Sequence, residues 1–165
     1  MTPRTKSGFM ARFGNVYEHS AWVAERAFDR LEGVDGIQAI GRVMAECVDR
    51  APFDLQLRLI RSHPDLADKA GVAGDLTADS VAEQSSAGLD RCSPDEYARL
   101  AALTRSYRKR FGFPFVMAVR GSSTTNILNA LRSRLGNDPA VEFETALAEI
   151  HKIALLRLQS MDVVE

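Results

Sequence analysis

The sequence of 165 residues predicts an all-α protein. Three observations predict it. Apolar residues recur at helical spacing along most of the chain, and glycine and proline fall singly or in short clusters between these stretches. No second stretch reads as a strand that could pair with the one compact apolar run. We therefore expect a single compact domain over residues 1–165, with seven or eight helices and an extended apolar segment near residues 112–120.

The first half of the chain predicts three helices. Apolar residues from Val16 to Leu31 recur at helical spacing, and Gly33 is placed to form the C-cap. Ile37–Val48 and Phe53–Arg61 follow the same pattern. Pro64 ends the third helix, because the residue before a proline is disfavoured in the helical conformation. His63 is that residue, so the sequence places it at a helix end.

The second half predicts four more helices, with a loop before them at residues 67–76. Thr77 or Asp79 is placed to cap a helix that runs to about Leu89, and Ser93–Glu96 is a capping box with proline at the first helical position. The other two helix starts are Ser123 or Thr124, with a helix through Leu131, and Asp138-Pro139, with a helix to about Met161. Phe113–Val119 is apolar and interrupted by Pro114, a pattern that allows a buried strand or an extended core segment. Because no second strand is predicted to pair with it, extended coil is favoured.

Composition and charge exclude several classes of protein. Hydrophobic residues make up 45% and charged residues 26%, which is typical of a globular chain. Lys and Arg number 21 against 22 Asp and Glu, so no overall positive field attracts nucleic acid or an anionic membrane. Two distant cysteines and three scattered histidines predict neither a disulfide framework nor a metal site.

The N-terminal eight residues lack the apolar stretch of a signal peptide. The longest apolar run, residues 113–119, is far shorter than the roughly 20 residues that span a bilayer. We expect a cytoplasmic protein with no membrane or nucleic-acid partner.

Arg157 stands on the apolar face of the last helix, together with Ile150, Ala154 and Met161. A guanidinium cannot lose its charge, so it must meet an anion or reach solvent along its aliphatic stem. Two interpretations stay open at this point. Arg157 either forms a structural contact, in a buried ion pair or at the helix end, or binds the carboxylate of a substrate.

Three other features are candidates for a site. Ser80, Glu83 and Gln84 share a polar helix face, which is either exposed or lines a pocket. His63 is either a histidine that contacts the last carbonyls of its helix or a catalytic base. The segment 113–119 is either core or a source of unpaired backbone groups for an amide-like ligand.

Four short motifs occur in order along the chain. They read HPDLA at 63–67, SxxEQxxAGLD at 80–90, YxxRFGFPFV at 107–116 and EIxxIAxxRL at 149–158, after a beginning FGNVYEHS at 13–20. This series resembles the OHCU decarboxylase family, whose members act on 2-oxo-4-hydroxy-4-carboxy-5-ureidoimidazoline in the conversion of urate to allantoin. The chain departs from relatives at Ala21, where proline is frequent, and at Arg120, where a lysine often precedes the glycine.

The resemblance implies an all-helical homodimeric enzyme that needs no cofactor and forms (S)-allantoin. It implies catalytic roles for His63 and Arg157, and we add the hypothesis that Glu83 is catalytic as the charged neighbour of His63 in the proton movement. The implied substrate-binding residues are Pro64, Ser80, Glu83, Gln84, Phe115, Val116, Met117, Ala118 and Val119. It also implies a functional link to uricase and hydroxyisourate hydrolase. Alternatives from other classes are a helical module that only binds a ureide and a helical scaffold for protein partners; a related enzyme acting on a different ureido acid is the nearest alternative within enzymes.

Overall fold

The computed structural model describes residues 2–66, 78–86 and 88–162. Within these ranges it contains eight α-helices, one 3-10 turn at Leu89–Arg91 and no strand. The helices are α1 (Lys6–Phe13), α2 (Trp22–Phe28), α3 (Ile37–Asp49), α4 (Phe53–Arg61), α5 (Ala78–Ser86), α6 (Pro94–Phe111), α7 (Thr124–Leu135) and α8 (Pro139–Asp162). The prediction of an all-α fold with seven or eight helices is confirmed. None of the helices in the described ranges is both long and apolar enough to cross a bilayer.

The chain divides into two compact units. The first comprises residues 1–62 and 150–165, and the second comprises residues 63–149. The helix α8 supplies residues to both, because the division falls between Glu149 and Ile150. The assignment of residues 1–165 to one domain stays a prediction.

Aromatic rings and close helix packing form the core of the first unit. Phe9 and Phe13 lie one turn apart on α1 with ring centroids 4.8 Å apart, and Phe9 also contacts the ring of Phe28 at 5.4 Å. A Cβ atom added at Gly41 of α3 would lie 3.2 Å from Cδ1 of Leu158 on α8. The lack of a side chain at this position therefore permits the close approach of α3 to the C-terminal part of α8.

The second unit is organised around α6. Ser93 Oγ accepts the backbone N–H of Glu96, and the Ser93 N–H donates to Glu96 Oε1, both at 3.1 Å, so the predicted capping box is confirmed. Gly112 ends the helix with a φ of +77°, a conformation that costs glycine little. Tyr107, near the end of α6, contacts the rings of Phe111, Phe113 and Phe115.

Two predicted helices have wrong boundaries. The helix predicted over Val16–Leu31 is confined to Trp22–Phe28, because Val16 and Tyr17 are buried by turns and tertiary contacts and not by a helix face. The helix predicted to run to about Leu89 ends at Ser86, and Leu89 belongs to the 3-10 turn. The helix α1 was not among the predicted elements, although Thr5 caps it by accepting the N–H of Gly8. The predicted loop at 67–76 and the predicted cap Thr77 lie outside the described residues.

Candidate active site

His63 lies in a bend after Ser62, the C-cap residue of α4, and is the first residue of the second unit. Its exposed fraction is 7%. Two residues later, Asp65 Oδ2 lies 3.2 Å from Arg108 Nε of α6. This ion pair ties the chain that follows His63 and Pro64 to a helix of the same unit.

The polar face of α5 is buried at the two positions whose side chains the structure describes. Ser80 is 5% exposed and Glu83 is 8% exposed. The alternative of an exposed face is therefore wrong for these two residues. Glu83 Oε1 lies 3.8 Å from Arg120 Nη2, which places a positive charge beside the buried carboxylate. Gln84 lies on the same helix, and its side chain is outside the described part of the chain.

Residues 114–119 form neither helix nor strand, which confirms extended coil over a sheet strand. Phe115, Val116 and Val119 are buried, whereas Met117 and Ala118 are half-buried. Glycines with positive φ stand on both sides of the segment, at Gly112 and Gly121. The segment thus combines core side chains with a backbone that no helix or sheet fixes.

Arg157 is 2% exposed and lies in the part of α8 that belongs to the first unit. Its Nη2 donates to Glu18 Oε2 at 2.8 Å, and its Nη1 donates to the carbonyl oxygen of Val16 at 3.2 Å. The buried ion pair, one of the two interpretations of this arginine, is therefore observed. Contact of Arg157 with a substrate stays a prediction.

Glu18 is fully buried, and the chain around it is held by several contacts within the first unit. Its carbonyl oxygen accepts hydrogen bonds from Ser62 Oγ at 2.8 Å and from Ser20 Oγ at 2.9 Å. The neighbouring His19 has a φ of +46°, which residues other than glycine rarely adopt, and its Nε2 lies 3.8 Å from Glu18 Oε1. Strained backbone of this kind persists only where its surroundings impose it.

A second set of polar contacts, centred on His151, holds the segment of residues 16–18. His151 Nε2 lies 2.9 Å from Asp49 Oδ1, and His151 Nδ1 lies 2.9 Å from the hydroxyl of Tyr17. Burial raises the pKa of Tyr17 above its ordinary value, so the phenol in this contact stays protonated. Residues 16–18, which contact Arg157, are thereby tied to α3 and α8.

The predicted site residues are divided between the two units. The second unit contains His63, Pro64, Ser80, Glu83, Gln84 and residues 115–119, and the first unit contains Arg157. Among the described residues no three His, Cys, Asp or Glu side chains come together as a set of metal ligands. Both cysteines, Cys47 and Cys92, are free thiols.

Sequence reasoning missed three charged residues that contact predicted site residues. They are Glu18, beside Arg157; Arg120, beside Glu83; and Arg134, which contacts Phe115 and Val116. A signal existed for Arg134. It follows Ile127 by seven residues and Leu131 by three, which puts it on the buried face of α7.

The family model of OHCU decarboxylase matches residues 4–159 of the chain. A relative from Halalkalicoccus jeotgali, named 2-oxo-4-hydroxy-4-carboxy-5-ureidoimidazoline decarboxylase, is 41% identical over 160 residues, which are 96% of this chain and 87% of the relative. A uric acid degradation bifunctional protein from a Bacillus species is 41% identical over 155 residues, covering 94% of this chain and 30% of that protein.

Two solved structures resemble the fold. One, a crystal structure of (S)-allantoin synthase, has a TM-score of 0.76 at 31% identity; the match covers 95% of this chain, which spans half of that one. The other, a crystal structure of OHCU decarboxylase in the presence of (S)-allantoin, has a TM-score of 0.69 at 25% identity, with coverage of 88% and 94%. With a family match that extends from residue 4 to residue 159 and includes parts of both compact units, this chain belongs to the OHCU decarboxylase family.

Proposed function

We propose that this protein decarboxylates 2-oxo-4-hydroxy-4-carboxy-5-ureidoimidazoline, OHCU, to (S)-allantoin, the last step from urate to allantoin. The observation that carries the proposal is the match of residues 4–159 to the family, with named decarboxylases of 41% and 43% identity over more than nine-tenths of the chain. The likeness to a decarboxylase structure determined in the presence of (S)-allantoin supports the product.

The substrate itself supplies the electron sink for this reaction. When the bond between the ring carbon and the carboxylate breaks, carbon dioxide leaves and the electron pair passes into the unsaturated ring system. One proton must then reach one face of the ring to set the configuration of allantoin. The protein is left with three tasks: it orients the carboxylate, stabilises the charge that develops on the ring and delivers the proton.

We assign the proton movement to His63, with Glu83 as its charged partner in catalysis. An imidazole has an unperturbed pKa of about 6.5, close to the working pH of a cell, which suits it to accept and donate protons. His63 and Glu83 are more than nine-tenths buried. Low exposure to water strengthens the electrostatic interactions that these two groups make. Burial of Glu83 beside Arg120 supports a fixed orientation for the carboxylate.

Arg157 is assigned to an anionic or carbonyl oxygen of the substrate. Its planar guanidinium can bind oxygen atoms through two parallel N–H groups, which gives orientation as well as charge. The contacts with Glu18 and Val16 support this role, because they fix the plane of the guanidinium before a substrate arrives.

Pro64, Ser80, Gln84 and the backbone of residues 115–119 are assigned to substrate binding. The burial of Ser80 and the irregular backbone of residues 114–119 support this assignment. Backbone N–H and C=O groups outside helices and sheets can pair with the ureido and ring amide groups of OHCU.

Optical activity of the product tests the function. OHCU is generated by treating urate with uricase and hydroxyisourate hydrolase, and circular dichroism follows the allantoin with and without this protein. We expect (S)-allantoin to form rapidly, whereas unassisted decay of OHCU gives the racemic compound. Racemic product formed at the unassisted rate would contradict the decarboxylase, and a pocket that binds a ureide without turnover would then explain the family match.

The assembly, the compartment and the pathway link are also proposals. The family resemblance supports a homodimer, and light scattering should give twice the mass of one chain; the mass of a single chain would contradict it.

The two free thiols fit a protein of the reducing cytoplasm. Cell fractionation checks whether the protein is found in that compartment. The bifunctional uric acid degradation protein supports a functional link to uricase and hydroxyisourate hydrolase.

A further inference from the structure

Arg134 of α7 contacts two consecutive residues of the segment 113–119 within the second unit. Its Nη1 donates to the carbonyl oxygen of Val116 at 2.6 Å. Its guanidinium carbon lies 4.4 Å from the centroid of the Phe115 ring, within the range of a cation–π contact. A single buried side chain therefore holds both the ring of one residue and the carbonyl of the next.

The guanidinium is fixed in turn by a buried carboxylate. Arg134 Nε donates to Glu142 Oε1 at 2.6 Å, and Glu142 has no exposed surface. The same carboxylate accepts hydrogen bonds from the hydroxyl of Tyr107 and from Asn137 Nδ2. Burial, together with the hydrogen bond to Glu142, raises the pKa of Tyr107, so its phenol remains the donor. Arg134, Tyr107 and Asn137 thus all donate to one buried carboxylate, and Arg134 is the member of this set that also contacts Phe115 and Val116.

Charged groups are energetically unfavourable for filling a core. Burying two charges costs free energy of desolvation, and well-packed apolar residues often give equal or greater stability. In addition, Arg134 Nη2 is buried with no hydrogen-bond partner among the described residues. What the guanidinium supplies, and an apolar side chain cannot, is a directed hydrogen bond to one backbone carbonyl.

The direction of that carbonyl has a consequence for the next residue. A peptide group is planar, so fixing the Val116 carbonyl also fixes the direction of the Met117 N–H. Residues 114–119 belong to no helix or sheet that would fix their backbone groups otherwise. Met117 is half-buried, between the buried Val116 and the half-buried Ala118.

We infer that Arg134 is a positioning residue, which holds the backbone of Phe115–Val119 in the orientation that binds the amide groups of the substrate. The inference rests on the proposed function for its substrate. In this inference Arg134 does not contact the substrate. It acts on substrate binding through the Val116–Met117 peptide group.

Arg134→Lys and Tyr107→Phe form a matched pair that tests the inference. Lysine retains the charge beside Glu142 but lacks the planar fork that also contacts Val116. Phenylalanine keeps the ring and removes one of the three side-chain hydrogen bonds to Glu142. The carboxylate retains its contacts with Arg134 and Asn137, so the Arg134–Val116 contact should stay in place. Both variants should lower the melting temperature. Kinetics with OHCU and amide hydrogen exchange of a peptide covering residues 113–121 are then compared.

For Arg134→Lys we expect KM to rise at least about fivefold with a smaller change in kcat, because the loss lies in orientation of a binding group. Amide exchange in residues 113–121 should accelerate at least about tenfold. Tyr107→Phe should change either quantity by less than about twofold. If Arg134→Lys does not fold, the double variant Arg134→Gln/Glu142→Gln, which removes both charges, replaces it with the same expectations.

Unchanged KM and unchanged exchange in the Arg134 variant would overturn the inference. Equal changes in Tyr107→Phe would also overturn it, because the effects would then follow stability alone. A wild-type protein without OHCU turnover would refute the proposed function separately, and the exchange comparison would still decide whether Arg134 holds the segment.

Discussion

Replacing His63 with asparagine should lower kcat for (S)-allantoin formation by about 10²–10⁴-fold, the usual contribution of a general acid–base residue. Asparagine has similar size and polarity but cannot take up and release a proton near neutral pH. His63 is 7% exposed in a bend after α4, where an amide side chain fits without adding bulk. Circular dichroism of allantoin gives the rate, and the far-ultraviolet spectrum with the melting temperature reports the fold.

His151→Asn is the matched control, because the chain offers a second histidine held by polar contacts. His151 bonds to Asp49 and Tyr17, so its loss should lower the melting temperature. Its effect on kcat should be far smaller than that of His63→Asn, because we assign His151 no contact with the substrate. A near-normal rate in folded His63→Asn would remove His63 from the mechanism, and equal losses in both variants would attribute the effect to stability.

The helices were predictable where local signals determine them. The capping box at Ser93 and the proline at position 139 fixed the starts of α6 and α8, and both are confirmed. The prediction of one helix over Val16–Leu31 was wrong because the spacing of apolar residues indicates which residues are buried. It does not show whether a helix or an irregular segment buries them. Val16, Tyr17 and Glu18 are buried and contact Arg157, His151 and Ser62. These partners lie 44 to 141 residues further along the chain, so a local pattern does not reveal them.

The candidate site was predictable to a similar extent. Arg157 stood out because a charge on an apolar helix face must have a partner, and the structure supplies one. The identity of that partner was not predictable, because Glu18 lies 139 residues away in an irregular segment. The roles of His63 and Glu83 were indicated by the family resemblance, since neither residue alone distinguishes catalysis from an ordinary polar contact.

The second large effect is expected for Arg157→Lys, which should reduce kcat/KM at least about tenfold. Lysine keeps the positive charge beside Glu18, so the buried carboxylate retains a counter-charge. What is lost is the planar fork, which in Arg157 contacts Glu18 and Val16 and in the proposed mechanism also orients the substrate. The measurement is the initial rate of OHCU decarboxylation across substrate concentrations, alongside the melting temperature.

Arg30→Lys gives the corresponding control, because Arg30 pairs with Glu46 at 3.0 Å in a partly exposed position of the same unit. An exposed pair contributes about 0–1 kcal/mol, so this variant should keep both kinetics and stability. The two variants make the same chemical change, so they separate the loss of any guanidinium from the loss of this one. If Arg157→Lys lowers the melting temperature and leaves kcat/KM unchanged, Arg157 serves only to hold residues 16–18. A loss of kcat/KM in a variant that melts near the wild-type temperature supports contact between the guanidinium and the reacting molecule, because stability alone would not explain the loss.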